Sequence, residues 1–399
     1  LKLNLKKYLL VSTIVAVFSE AFFFRFIIDV KLFYIIILIN YYILFRKQWV
    51  KANVFWLSIV LFMFIHGGFA YSILLIPPNF LFSQIIGITL CLIYYYSVLR
   101  LYNKTEILNA YLTATLIIAV IGFPGYFLGI NLNVNNDSRF CSILTEPAHY
   151  AIIVLPACYY FLKSKKYLAL TVVFISLILT ESSIAYIGLA LMFVLPNMSL
   201  KRLGYACAIV PVVVFSFYWV YLNNEKVKMR FDDTYESLKA MNTGKFKQTT
   251  NVSTYALLSN FYIAKLNFID HPLGSGLGSH YPMYKNNYAT QMRTPEYLKT
   301  LKLDDINSKD GASLFIRMFS EFGLFGLFFT LFILYYIIKS FKHKDWYFEQ
   351  GIAIYLLLKL FRDGHYFPPE FYFFVIYFYF SITNNFFKTI PHEKHLPHY

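Results

Sequence analysis

Charge is scarce in this chain. Asp, Glu, Lys and Arg make up 14% of 399 residues, against about 25% in a soluble domain. A chain so poor in charge has too little polar surface for an ordinary water-facing fold. Cysteine is scarce too. Cys91, Cys141, Cys158 and Cys207 form no CxxC pair, which argues against a disulfide framework or zinc site and for buried small apolar residues. The nine histidines give no HExxH, and His392, His395 and His398 in the tail fit no standard metal spacing. No metal and no cofactor is expected. Gly274-Ser275-Gly276-Leu277-Gly278 has no strand before it and no Lys-Ser or Lys-Thr after it, so it is expected to form a tight turn rather than a phosphate loop. There is no internal repeat with a period of roughly 20–50 residues, no low-complexity linker and no cleavable signal pattern. The expectation is a single domain, 1–399, whose first span is a retained anchor.

What is abundant is apolar. Hydrophobic residues reach 58% and aromatics 21%, in runs of about 20, the length that crosses roughly 30 Å of hydrocarbon. Such runs in lipid are helices, because each backbone group needs an internal partner, and aromatics suit the two interfaces. The expected fold is all-α: a polytopic integral membrane protein of about twelve spans. They are placed at 8–28, 31–45, 52–75, 80–99, 106–130, 146–162, 167–180, 184–198, 203–222, 312–338, 346–361 and 370–387. The seventh and eighth share one hydrophobic block broken at Thr180-Glu181-Ser182-Ser183.

The formal charge of +15 is read as a topology signal before a nucleic-acid one, because Lys and Arg mark cytoplasmic loops. With the N-terminus inside, the inner loops hold 18 of the 36 basic residues, in groups such as Arg46, Lys47 and Lys51, or Lys163, Lys165 and Lys166. The short outer loops hold mainly Lys31, Arg139 and Arg362. Both termini are therefore expected in the cytoplasm. The segment 223–311, between the ninth and tenth spans, falls outside as one large, mildly basic loop. Within it, Ser253 to Ile269 reads as an interfacial or core-packing helix with Ser253 as N-cap.

Ionisable groups within or beside spans are costly, so each is a functional candidate. Glu20 and Arg25 share the first span and can neutralise each other or nearby partners. His66 reads as a packed polar residue. On the outer side, Glu146 and His149 share one helix face three residues apart, just after Arg139. Arg317 and Glu321 are four apart near the start of the tenth span. Arg362, Asp363, His365 and Tyr366 form the turn between the last two spans. Arginine forks bind phosphate oxygens and stabilise charge on a departing diphosphate. A carboxylate or histidine takes the proton from an acceptor hydroxyl. A network of structural salt bridges at helix ends is the competing account of the same residues.

Four stretches carry a family resemblance: Arg139 to His149 with its Glu-Pro; His271-Pro272-Leu273-Gly274-Ser275-Gly276-Leu277-Gly278; Ser313 to Gly326 with Glu-Phe-Gly-Leu-Phe-Gly; and Arg362 to Tyr366. With the long outer loop before the last few spans, the chain resembles the Wzy-type O-antigen and surface-polysaccharide polymerases, whose superfamily includes the O-antigen ligases. The resemblance implies a metal-independent glycosyltransferase of the bacterial inner membrane. It would join polyprenyl-pyrophosphate-linked oligosaccharides at the outer leaflet, among membrane lipids, with a chain-length-regulating co-polymerase as a possible partner and no nucleic acid. The expected catalytic set is Glu146 as base, His365 as second choice, and Arg317 and Arg362 at the leaving group. Arg139, His149, Glu321, Asp363, Tyr366, Arg230 and His271 are expected at the diphosphate and glycan. Ligases typically carry a histidine before the helix after the large loop; Lys309-Asp310-Gly311-Ala312-Ser313 has none, which disfavours a ligase. A flippase for the same lipid is the alternative from another class, though no inverted repeat is evident.

Overall fold

The computed structural model describes residues 4–25, 29–129, 138–197 and 225–383, with 215, 218, 219 and 221–223. Most of the expected ninth span and the C-terminal histidines lie outside the described residues, as does Cys207.

Among the described residues the fold is all-α apart from one small hairpin. Helices α1 (Leu5–Val17), α2 (Leu32–Arg46), α3 (Val54–Leu74), α4 (Asn79–Leu99), α5 (Lys104–Phe127), α6 (Pro147–Lys163), α7 (Tyr167–Leu179) and α8 (Ser183–Val194) run up and down. Then come α9 (Glu225–Thr243), α10 (Val252–Asp270), α11 (Leu314–Phe322), α12 (Leu324–Ser340), α13 (Tyr347–Arg362) and α14 (Pro369–Thr383). Local chemistry sets several of these ends. Asn103 and Glu106 close a reciprocal capping box at the start of α5. Pro147 occupies the first turn of α6, and the Ser313 side chain accepts the Ile316 N–H to open α11.

Among the described residues, α3, α4 and α5 are long and apolar enough to cross a membrane, and α2, α7, α8 and α12 are shorter apolar helices. Many large apolar side chains on these helices face outward, including Leu61, Ile65, Phe69 and Ile73 on α3 and Phe328 and Leu331 on α12. A water-soluble monomer rarely exposes so continuous an apolar surface.

Two of the expected spans are interrupted where the sequence reading runs them as one helix. The first span stops at Val17, and the chain turns into an antiparallel hairpin, β1 (Phe23–Arg25) with β2 (Asp29–Lys31). Glu20 thus lies in a turn, not in a helix. The tenth span is two helices broken at Gly323, whose φ is +56°. Its neighbour Leu324 donates its N–H to the Pro272 carbonyl at 2.9 Å, so a contact from the loop replaces a helical hydrogen bond there. The expected break at 180–183 is present: α7 ends at Leu179, α8 begins at Ser183, and Glu181 is exposed in the turn at φ +47°.

The buried centre is built by α6 and α13, most of whose residues are inaccessible, with Tyr111, Tyr355, Phe373 and Phe374 packed among them. These central helices are short. At about 1.5 Å per residue, α4 runs about 31 Å while α13 and α14 run about 24 and 22 Å. Phe367, on the turn joining α13 to α14, packs against Gly87 in the middle of α4, and the Tyr95 hydroxyl donates to the Pro369 carbonyl at 2.7 Å. The turn therefore lies below the N-terminal end of α4, and Gly278 and Asp310 of the large loop pack over it.

Candidate functional site

The sunken end is where the motifs meet. The 271–278 segment lies on the α11–α12 break. Gly276 donates its N–H to the Glu321 carbonyl at 2.8 Å, and the Asn267 amide donates to Ser275 Oγ and Ser320 O at 2.7 and 2.8 Å. Gly274 and Gly323 both have positive φ, and a Cβ on Gly323 would lie 2.1 Å from the Pro272 carbonyl oxygen. Only glycine fits that approach. Helix α3 clamps the other side: His66 Nε2 is 2.8 Å from the Leu273 carbonyl, and the Tyr71 hydroxyl donates to that of Leu277 at 2.8 Å. The segment is a tight turn, with the Gly274 N–H bonded to the His271 carbonyl and the Gly276 N–H to that of Glu321.

Helix α10 packs into the core instead of lying on an interface, burying Tyr255, Leu258, Asn260, Ile263 and Asn267. Its N-cap is Asn251, whose side chain accepts the Ser253 N–H at 2.9 Å, two positions before the cap expected from sequence.

Arg317 is the hub under this turn, 3% exposed. Nε donates to Glu321 Oε1 at 3.0 Å, one terminal nitrogen to the Gly364 carbonyl at 3.2 Å, the other to Gln84 Oε1 at 3.2 Å. Its guanidinium stacks 3.9 Å from the Tyr366 ring centre, and the Tyr366 hydroxyl donates to Glu321 Oε2 at 3.0 Å. Arg317, Glu321 and Tyr366 thus satisfy one another and fix the 363–366 turn. They form its frame, and their polar atoms face protein.

The turn itself carries the accessible groups. Asp363 Oδ2 is 2.6 Å from the buried Lys359 Nζ, and Asp363 Oδ1 accepts the His365 N–H at 3.0 Å. Burial alone would raise the Asp363 carboxyl; Lys359, then His149 and His365, outweigh it and bring it to about 2. His365 Nε2 lies 2.8 Å from Asp310 Oδ2. Burial also opposes ionisation of Asp310, but His365, the Ala312 N–H and the Arg317 charge hold it below the usual carboxylate range. Arg362 donates to the Ser253 carbonyl at 3.0 Å, which ties the turn to the start of α10.

His149 Nδ1 is 2.6 Å from Glu20 Oε1, so Glu20 finds its partner across the bundle. Arg25, the partner weighed from sequence, has a side chain outside the described residues. Together Glu20, Lys31, His149, Asp363, His365 and Glu370 line a cleft of about 50 Å³. Glu146 is exposed at the α6 N-terminus, within electrostatic reach of His149 and Arg362. Arg139 is exposed on the segment entering α6. His271 caps the end of α10, its carbonyl accepting the Gly274 N–H at 2.8 Å. Arg230 is on α9, its side chain outside the described residues.

Lys359, Glu370 and Asp310 were missed by sequence reasoning. A signal existed for Lys359, a lysine inside an apolar run four residues before Asp363, the spacing of a helical ion pair. Glu370 beside Pro368-Pro369 reads as an ordinary first-turn acid. Among the described residues, no three or more His, Cys, Asp or Glu side chains gather to hold a metal ion. A second, apolar cavity of about 10 Å³ between α3 and α4, near Trp56 and Tyr96, carries none of this chemistry.

No protein-family model matches the chain, and no curated protein matches it significantly.

Proposed function

We propose that this chain is a polytopic inner-membrane glycosyltransferase of the Wzy type, joining oligosaccharide repeats carried on polyprenyl pyrophosphate. One observation carries the reading: two of the segments that resemble the family, far apart in sequence, bring His149, Asp363 and His365 to one cleft with Glu20 and Glu370, and a third holds the 363–366 turn in place through Arg317 and the Gly364 carbonyl. The cleft lies at one end of the bundle, with a packed centre beneath it.

Orientation supports the same reading. The bundle end opposite the cleft carries Lys6, Lys7, Arg46, Lys47, Lys51, Arg100, Lys104, Lys163, Lys165, Lys166, Lys339, Lys342 and Lys344. By the positive-inside rule that end is cytoplasmic, so the cleft and the large loop are on the outer face. Twelve spans, with both termini inside, complete this topology.

In this reading Arg362, on the turn beside the cleft, and Arg139, exposed on the segment entering α6, meet the diphosphate, because a guanidinium fork stays charged and pairs with phosphate oxygens. His365, oriented by Asp310, and Glu146 are the groups placed to take the acceptor hydroxyl proton. The acceptor oxygen then bonds to the anomeric carbon, the bond from that carbon to the diphosphate oxygen breaks, and its electron pair leaves with polyprenyl pyrophosphate. Arg317 acts one step back, by holding the turn that presents these groups.

The test is the surface-polysaccharide banding pattern of a strain lacking this gene. A ladder that collapses to a single repeat on its acceptor supports the polymerase, since export and ligation still work. Collapse to acceptor with no repeat favours a flippase or ligase.

A further inference from the structure

Resting on that reading, we infer that the recessed cleft is the acceptor-sugar subsite, and that Glu370 is the residue that accepts a hydrogen bond from a hydroxyl of the incoming glycan.

Glu370 is 3% exposed in the first turn of α14 and lines the cleft. Its Oε1 accepts the Tyr355 hydroxyl at 3.2 Å, whereas Oε2 is buried and has no hydrogen-bond partner. Leaving a buried carboxylate oxygen unpaired costs free energy unless a ligand meets it, and such exceptions ask for an explanation. The neighbouring acids are already engaged: Glu20 with His149, and Asp363 with Lys359 and the His365 N–H. Among the acids lining the cleft, Glu370 Oε2 is the buried oxygen with no protein partner.

Charge favours a neutral, hydroxyl-bearing group, and the volume accommodates one. Three carboxylates line the cleft against one lysine, Lys31, and two imidazoles, a poor environment for a diphosphate. One water needs roughly 10–15 Å³, so about 50 Å³ has room for a hydroxymethyl group or the hydroxylated edge of a sugar. Arg362, bonded to Ser253, is not among the lining residues. Donor and acceptor are thereby separated: diphosphate at Arg362 and Arg139, acceptor hydroxyl in the carboxylate cleft.

The experiment measures binding of the strain's own repeat oligosaccharide, freed of its lipid carrier and diphosphate, to the full-length protein in detergent. Glu370→Gln keeps the size of the side chain and an oxygen for Tyr355. It is expected to weaken glycan binding at least about tenfold and to leave inorganic pyrophosphate binding unchanged. Glu20→Gln, on the opposite wall, is expected to weaken glycan binding too, and serves if Glu370→Gln fails to reach the membrane. Unchanged glycan affinity in Glu370→Gln, or in Glu20→Gln where Glu370→Gln does not reach the membrane, overturns the subsite while the null-strain ladder still stands for the polymerase. Failure of the wild-type protein to bind the glycan also overturns it. An unaltered ladder in the null strain overturns the functional reading itself, and the subsite with it.

Discussion

His365 and Asp310 join the last turn of the bundle to the end of the large loop, Nε2 to Oδ2 at 2.8 Å. The contact depends on the residue between His365 and Asp363. Gly364 packs so tightly that a Cβ there would lie 1.8 Å from the Asp310 carbonyl oxygen. Gly364→Ala is therefore expected to push the loop off the turn, costing about 1–3 kcal/mol from overpacking and most chain extension. Unfolding in detergent and the polysaccharide ladder check the two effects.

Acidification should loosen the loop in two stages. Burial, then the Arg317 charge, lowers His280 from its ordinary 6.5 to about 3. Between those values the unfolded chain binds a proton that the folded chain does not, so stability rises with pH through that window and falls as pH drops below about 6.5. Asp363, lowered from 3.8 to about 2, contributes stability that is complete above its unfolded value and is lost as pH falls toward about 2. His280→Gln should flatten the first stage and leave the second, as read from unfolding temperature against pH.

Removing Arg317 should destabilise as well as inactivate. Arg317→Ala strands Glu321, which is 0% exposed, and breaking one side of such a pair costs about 3–5 kcal/mol. Arg317→Lys is expected to fail too, since an ammonium cannot replace a planar fork held by Glu321, Gln84 and Gly364. The Arg317→Ala/Glu321→Ala double variant should lose less than the sum of the single variants. Equal, additive losses in a double-mutant cycle would break this account.

Arg362→Ala is the cleaner probe of the diphosphate. Arg362 gives up one partly exposed bond, to the Ser253 carbonyl, so stability should change by about 0.5 kcal/mol or less. Loss of a charge-stabilising donor should lower extension roughly a hundredfold. Normal membrane abundance with single-repeat polysaccharide is the expected pair of results.

Much of the helical frame was legible because apolar run length and caps are local signals. The bounds of α3, α4, α5 and α6 follow closely from runs near 20 and from punctuation such as Pro147. The breaks at Val17 and Gly323 were not legible, since each is imposed by a partner distant in sequence: Glu20 meets His149, and Pro272 takes the Leu324 N–H. The site was legible as a set of motifs on one side of the bundle. Its division was not, because sequence spacing says nothing of burial. Arg317 and Arg362 look alike in the sequence, but one is enclosed and the other lies on the turn beside the cleft. Glu370 gave no signal at all, and its distinction is an unpaired oxygen visible only in three dimensions.

The central claim is chain extension by this protein itself. The direct measurement is reconstitution of the purified chain in vesicles with the lipid-linked repeat extracted from its own cells, with product length followed over time. The account predicts multimeric glycans on the lipid carrier, matched by release of polyprenyl pyrophosphate, with extension lost in Arg362→Ala. Vesicles that move the repeat across the bilayer without lengthening it would contradict the account and identify a transporter instead.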